Sequence, residues 1–176
     1  PFSLKPVFIG YEISTSLLRD YDLSSNILGV GLKSHPNDPW MLNNRAYVNA
    51  RINKLDEAEK DMEQLEHCNK ALSESMSICK EATHGLIAYR RKDREKGRKL
   101  YEQAILRAST MKENSEEIKV KAQINMLREE IIFSNYQNTS ALMELEQLVI
   151  PNEKLELVKL RNEVFDEMKK NEKNQG

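Results

Sequence analysis

The sequence contains few of the residues that make tight turns or cross-links. Among its 176 residues there are six Gly, five Pro and two Cys. So little Gly and Pro is unusual for a β-barrel or β-sandwich, and two cysteines form neither a disulfide framework nor a zinc module. No apolar run approaches the roughly 20 residues that span a bilayer, and no signal peptide is recognisable. We therefore expect no membrane contact and a reduced, cytoplasmic setting.

Charge is abundant but balanced. There are 27 Lys and Arg against 28 Asp and Glu, which gives a formal net charge of -1. This balance excludes a protein that binds nucleic acid or membranes through overall charge, although local basic patches are compatible with it. The length predicts one domain. Because the chain begins with Pro1 and not Met, we interpret it as a fragment of a longer protein.

Apolar residues recur at spacings of three and four, as helices with one buried face require. Sustained alternation of apolar and polar residues, which would indicate strands, is not found. The clearest helix start is Asp38-Pro39-Trp40, where Asp38 can cap the helix and Pro39 occupies its first position. The pattern predicts an all-α single domain of about nine helices: hairpins at about 6–34, 38–70, 75–109 and 115–149, and a capping helix at about 152–170.

Two of these hairpins share a spacing of small and large residues. Ala46 is followed by Ala58, Met62 and Leu65 at offsets of 12, 16 and 19. At the same offsets, Gly85 is followed by Gly97, Tyr101 and Ala104. A small residue in each helix of a hairpin allows close approach of the backbones, and neighbouring hairpins must stack to bury their apolar faces. The spacing therefore predicts an internal repeat.

With this spacing, the stretches Leu42-Asn43-Asn44-Arg45-Ala46-Tyr47 and Leu55-Asp56-Glu57-Ala58 resemble the tetratricopeptide repeat (TPR) family. The resemblance covers about residues 36–108, extends less clearly over 7–35, and is weak after 112. It implies a right-handed superhelix of antiparallel hairpins. Arg45 and Asn49 depart from it, because the family usually has apolar or aromatic residues at those positions. The 39 residues from Ala46 to Gly85 exceed the family period by five, which predicts an extended helix ending near Asn69.

The resemblance also implies a concave groove that holds a peptide or a partner's helix. Trp, Tyr and Arg dominate many binding interfaces, so the positions that the family uses for its groove are candidates here. The alternative is that Trp40 and Tyr47 are core residues that pack on the preceding hairpin. The candidate partner-binding residues are Trp40, Asn43, Tyr47, Arg51, Leu86, Tyr89 and Arg90.

Two neighbouring segments carry opposite charge. Residues 55–66 contain six acids and one base, whereas residues 90–99 contain seven bases and two acids. One interpretation is mild attraction between adjacent hairpins, and the other is a ridge that contacts nucleic-acid phosphates. The second interpretation defines a basic patch of Arg91, Lys92, Arg94, Lys96, Arg98 and Lys99.

Residue patterns for chemistry are weak. The His67-Cys68 pair and Cys79 with His84 lack the tight ligand spacing of zinc sites, and no Gly-rich loop could hold a phosphate. We therefore predict a non-enzymatic chain without metal or cofactor that binds a protein or peptide. The alternatives are a nucleic-acid accessory module acting through residues 90–99 and a docking or regulatory arm of a larger enzyme.

Overall fold

The computed structural model describes residues 3–68 and 71–175, except for the side chains of residues 153, 172, 174 and 175. This described part is helical and contains no strand, which confirms the all-α prediction. None of its helices is both long and apolar enough to cross a membrane. Its nine α-helices are α1 (Lys5–Glu12), α2 (Tyr21–Ser34), α3 (Pro39–Arg51), α4 (Leu55–Glu66), α5 (Glu74–Arg90), α6 (Arg94–Ser109), α7 (Ser115–Phe133), α8 (Thr139–Gln147) and α9 (Leu155–Gln175).

The described chain also contains two shorter helical elements, and it is divided into two compact units. A π-helical segment (Ile13–Leu18) follows α1, and a 3-10 turn (Pro151–Glu153) precedes α9. The first unit comprises residues 1–100 and the second comprises residues 101–176, so that the division falls within α6.

Polar side chains fix where several helices begin. The Asp38 carboxylate accepts a hydrogen bond from the Met41 N–H, and Pro39 occupies the first turn of α3, as the sequence predicts. Asp20 caps α2 and Ser73 caps α5 in the same way. Each cap satisfies a backbone N–H group that has no partner within its own helix. These local signals explain why helix starts are readable from the sequence.

Helix α3 is the centre of the first unit. It packs against α2, α4 and α5, while α1 packs against α2. Leu28 of α2, Met41 and Leu42 of α3, and Ile78 of α5 are fully buried. A helix with neighbours on three sides buries the side chains around most of its circumference, whether these are apolar or polar. This explains the run of buried residues along α3, from Met41 to Arg51.

Small residues lie where helices of the first unit approach closely. Ala46 and Ala58 are fully buried, and Gly85 and Gly97 are buried too. A Cβ atom added to Gly97 would lie 2.5 Å from Cδ2 of Tyr89 and 3.0 Å from the carbonyl oxygen of Gly85. Real Cβ atoms do not approach other atoms so closely, so the crossing of α5 and α6 requires glycine at position 97.

The turns after α3 and α5 have the same backbone structure. After α3, the Asn53 N–H donates to the Ala50 carbonyl and the Lys54 N–H donates to the Asn49 carbonyl. Both bonds recur 39 residues later, at Lys92 and Asp93. Asn53 and Lys92 occupy the left-handed region, with φ of 60° and 68°. This is the Schellman motif, which terminates a helix and reverses the chain.

The turn between α7 and α8, in the second unit, repeats this pattern. The Asn135 N–H donates to the Ile132 carbonyl and the Tyr136 N–H donates to the Ile131 carbonyl. Seven residues before the left-handed turn residue, α3 has Ala46 and α5 has Gly85, but α7 has Arg128. The large side chain at this position explains why the sequence spacing becomes unreadable after residue 112.

Arg128 is buried within the second unit and paired with carboxylates. It is 5% exposed, and its guanidinium lies 2.6 Å from a Glu129 oxygen and 2.9 Å from a Glu167 oxygen of α9. The apolar core beside it is formed by Val120, Ile124, Leu127, Ile131, Ala141, Leu145, Leu157 and Val164. Leu160 and Met168 pack against this core, so one apolar face of α9 packs on α7 and α8.

Three helix boundaries differ by two or three residues from their approximate predicted positions. The prediction of an extended helix ending near Asn69 fails because α4 ends at Glu66; the additional residues fall between α4 and α5, which begins after its Ser73 cap. Helix α9 begins at Leu155, after the 3-10 turn Pro151–Glu153 in which Asn152 has a left-handed φ of 52°. Helix α8 ends at Gln147, before the predicted residue 149. The predicted end of the second hairpin at residue 70 lies outside the described residues.

The two glycines at positions 97 and 29 give opposite expectations for substitution by alanine. Gly97→Ala should lower the free energy of unfolding by about 2 kcal/mol, because the added methyl group would overlap Tyr89 and the Gly85 backbone. Gly29→Ala places its methyl group 3.6 Å from Arg45, an ordinary contact, and should stabilise α2 by up to about 1 kcal/mol. Urea unfolding followed by circular dichroism measures both, and equal midpoints would contradict this description of the α5–α6 crossing.

Candidate functional site

The predicted groove residues lie on α3 and α5, and Trp40 contacts the preceding hairpin. Trp40 is half-buried, and the rings of Phe8 and Tyr11 meet it edge-on at centroid distances of 4.7 and 5.2 Å. Edge-to-face packing of this kind is typical of aromatic clusters in protein cores. The structure therefore gives Trp40 a packing role between α1 and α3.

The other predicted groove residues are largely buried as well. Arg51 is 6% exposed; its Nη1 donates to the Tyr47 hydroxyl at 2.9 Å, and its guanidinium lies 4.5 Å from the centre of the Tyr21 ring. Arg90 is half-buried, and its Nη1 lies 3.5 Å from the Asn53 side-chain oxygen. Little surface is left for direct contact with a ligand at the three remaining positions, since Asn43, Leu86 and Tyr89 are 5%, 1% and 2% exposed.

Within the predicted basic patch, Arg91 joins two helices. Its guanidinium pairs with Asp56 and Glu59 of α4, with Nε 3.0 Å from a Glu59 oxygen. Hydrogen bonds to Glu59 and then to Asp56 raise the pKa of Arg91 above its ordinary value. This contact is the attraction between hairpins that the opposite charges suggest. The side chains of Lys92, Arg94, Lys96, Arg98 and Lys99 are exposed.

The cysteine and histidine pairs singled out in the sequence are not assembled into a metal site. Nε2 of His84 lies 3.3 Å from a Glu66 oxygen, and burial lowers the pKa of His84 while Glu66 opposes that shift. Cys68 and Cys79 are half-buried, and neither is in a disulfide. Among the described residues, no group of three or more His, Cys, Asp or Glu side chains could hold a metal ion.

A cleft between α2, α3 and α4 offers a better-formed site. Its volume is about 710 Å³, and all of its lining residues belong to the first unit. Helices α2 and α4 form its walls, and Arg45 and Asn49 of α3 contribute to its floor. A volume of this size is in the range of ligand-binding clefts.

Hydrogen bonds connect the two walls at both ends of this cleft. At one end, Nζ of Lys54 lies 2.6 Å from an Asp22 oxygen. At the other end, the Gln64 side-chain amide donates to the Pro36 carbonyl at 2.7 Å. Because residue 22 meets residue 54 and residue 36 meets residue 64, α2 and α4 run in the same direction. The ten residues from Lys54 to Gln64 give the cleft a length of about 15 Å.

The hydrogen bond at the Lys54 end also favours the protonated, charged form of that lysine. It is the largest contribution that raises the pKa of Lys54, with smaller contributions from the charges of Asp22 and Glu57. Lys54 is exposed. The first connection between the walls is therefore a solvent-exposed ion pair, and the second is a hydrogen bond between neutral groups.

The floor of the cleft is polar and its side chains are fixed by hydrogen bonds. Nε and Nη2 of Arg45 donate to the two carboxylate oxygens of Asp61 at 2.8 and 2.5 Å. The Ser25 hydroxyl donates to the Asn49 side-chain oxygen at 2.7 Å. Arg45 and Asn49 are the two residues that depart from the TPR pattern. Their departure is therefore the sequence signal for this site. Sequence reasoning did not connect it with Asp61 or with a cleft.

The Arg45–Asp61 pair should contribute measurably to stability. The Asp61 side chain is 3% exposed and the Arg45 side chain is 27% exposed. Arg45→Met would leave a buried carboxylate without its partner, which should cost about 3 kcal/mol of unfolding free energy. The double variant Arg45→Met/Asp61→Leu should recover most of that loss. Urea unfolding tests both expectations, and a midpoint that is unchanged by Arg45→Met would contradict the pairing.

No protein-family model, curated protein or solved structure matches the chain. The cleft has two features from which its use can be inferred: two parallel walls that are joined at both ends, and a floor of hydrogen-bonded polar side chains. Both features are contained in residues 1–100. These residues therefore form the candidate functional site.

Proposed function

We propose that this chain is a non-catalytic scaffold that binds a protein or peptide segment, and that its hairpins are TPR-like units. In residues 1–100, successive hairpins would stack as turns of a right-handed superhelix. Two observations support the proposal: the turns after α3 and α5 are equivalent, and small residues lie buried in both hairpins. Hairpins of this kind hold their helices rigidly, which lowers the entropic cost of binding.

The cleft between α2 and α4 is the site that the geometry favours. The single observation that carries this proposal is that its two walls are connected at both ends, by Lys54 with Asp22 and by Gln64 with Pro36. The opening between these connections is about 15 Å long. At about 3.3 Å per residue, an extended segment of four or five residues spans it.

The alternatives receive less support. In the predicted groove on α3 and α5, Asn43, Leu86 and Tyr89 are buried. For nucleic-acid binding through residues 90–99, Arg91 is already paired with Asp56 and Glu59 of α4, which reduces the charge available to phosphates. A docking arm of a larger enzyme would perform the same physical act as the scaffold, since docking is itself the binding of a protein segment.

A peptide library tests the proposed function without a known partner. We expect random dodecapeptides displayed on phage to yield sequences that bind the wild-type chain. Asn26→Trp should reduce binding of these sequences at least tenfold, because Asn26 is exposed on the α2 wall and an indole there would obstruct the cleft. Fluorescence anisotropy with the selected peptides, made synthetically and labelled, measures the loss.

The matched control is Leu23→Trp. Leu23 is an exposed residue of α2 that does not line the cleft, so an indole there should leave peptide affinity unchanged. Circular dichroism spectra should show that both variants keep the helical content of the wild type. If the selected peptides bind the Asn26→Trp variant as tightly as the wild type, the cleft is not the binding site.

A further inference from the structure

The charges that line the cleft are unequal and only partly neutralised. In the part of the chain that the structure describes, its lining contains four basic residues, Lys33, Arg45, Lys54 and Lys60, and two acidic residues, Glu57 and Asp61. Arg45 is paired with Asp61, and Lys54 is paired with Asp22 outside the lining. The basic side chains that are left are therefore Lys33 on the α2 wall and Lys60 on the α4 wall.

These two lysines are available to a ligand. Both are exposed, and within the described part of the chain neither forms an ion pair. Glu57 is the remaining carboxylate of the lining, and its charge acts on Lys54. Removing the Arg45–Asp61 pair and the paired Lys54 from the count leaves two positive charges against one negative charge. The open part of the cleft is therefore complementary to an acidic group.

The uncharged lining indicates the form of the ligand. Among the described residues that line the cleft, none is aromatic, and the apolar ones are Gly29, Val30, Leu32 and Pro36. An amphipathic helix inserts large apolar anchors into a hydrophobic groove, and this lining does not offer one. By contrast, the exposed side-chain amide of Asn26 carries both donors and an acceptor, and the oxygen of the Gln64 amide is a further acceptor beside its bond to Pro36. Such groups match the backbone of an extended chain.

We infer that the cleft binds an extended acidic peptide segment, of about four or five residues, with its carboxylates directed at Lys33 and Lys60. This inference rests on the proposed function, because it names the partner chemistry of the same site. Lysine on each wall allows carboxylates on alternate sides of the segment to be bound, since successive side chains of an extended chain point in opposite directions. The Arg45–Asp61 pair forms the floor beneath the segment and keeps its own charges neutralised.

Fluorescence anisotropy at low salt tests this chemistry with defined probes. The probes are three fluorescein-labelled dodecapeptides in which pairs of Ser alternate with pairs of Glu, Gln or Lys, so that each pair of charged residues places one side chain on each side of an extended chain. We expect the Glu peptide alone to bind the full chain, with an affinity that falls as salt is added. Lys33→Gln/Lys60→Gln should weaken binding about tenfold, because each exposed pair contributes modestly. Glu57→Gln should strengthen binding about twofold to threefold, because it removes a repelling charge.

Matched controls distinguish the effect of where the positive charges lie from the effect of how many there are. Lys33→Arg/Lys60→Arg keeps both charges and should bind the Glu peptide as the wild type does. Lys112→Gln removes one exposed positive charge outside the cleft and should have no effect. Equal binding of the Gln or Lys peptide would overturn the acidic preference. So would a loss with Lys112→Gln as large as the loss with Lys33→Gln alone or with Lys60→Gln alone.

Failure of the acidic preference can be distinguished from failure of the proposed function. If the library peptides lose affinity with Asn26→Trp but are not enriched in Asp and Glu, the cleft binds peptides and the acidic preference is wrong. If no selected peptide responds to Asn26→Trp and the Glu peptide does not respond to the cleft lysine variants, both are wrong. An acidic consensus that is sensitive to Lys33 and Lys60 supports both.

Discussion

The close approach of neighbouring helices is the constraint on which the first unit depends. Ala46 and Ala58 are fully buried in the hairpin of α3 and α4, and Gly97 has no room for a methyl group against Tyr89 and Gly85. With its neighbours held this near, α3 is surrounded by α2, α4 and α5. A rigid central helix with parallel α2 and α4 on two sides creates a groove along its surface. The cleft is therefore a product of the packing and needs no additional element.

Polar residues occupy the floor of that groove at the cost of their hydration. An apolar or aromatic residue at position 45 or 49 could fill the space between α2 and α4, as the usual TPR pattern would have it. Arg45 instead binds Asp61 of the α4 wall, and Asn49 binds Ser25 of the α2 wall. A buried charge is tolerated only with a partner of good geometry, and the two-point contact of Arg45 with Asp61 provides it. The polar floor thus keeps the groove open without leaving a buried charge unpaired.

Much of the fold could be predicted from the sequence because its signals are local. Helix caps such as Asp38 and the spacing from Ala46 to Ala58 involve residues close in the chain, and both are visible as residue types. The cleft could not be predicted in this way. It depends on Asp22 meeting Lys54 and on Pro36 meeting Gln64, and each contact joins residues about 30 positions apart. Single charged or amide residues on an exposed helix face give no sign of such partners.

The turn between α7 and α8 is a second example of a feature that the sequence pattern does not reveal. Its backbone hydrogen bonds repeat those after α3 and α5, but Arg128 stands where those helices have a small residue. The turn geometry is specified by a few backbone groups, whereas the spacing between helices is specified by side-chain volume. A sequence pattern based on side-chain volume therefore fails to detect this hairpin, although its backbone turn is preserved.

The two connections across the cleft differ in their response to the solution. The Lys54–Asp22 contact is an exposed ion pair, so dissolved ions screen it. The Gln64–Pro36 contact joins an uncharged amide to a carbonyl and is indifferent to ionic strength. Raising the salt concentration therefore weakens the contact at the Lys54 end and leaves the contact at the Pro36 end unchanged. Because both walls also pack on α3, the salt sensitivity of the cleft is confined to the side chains at the start of α4.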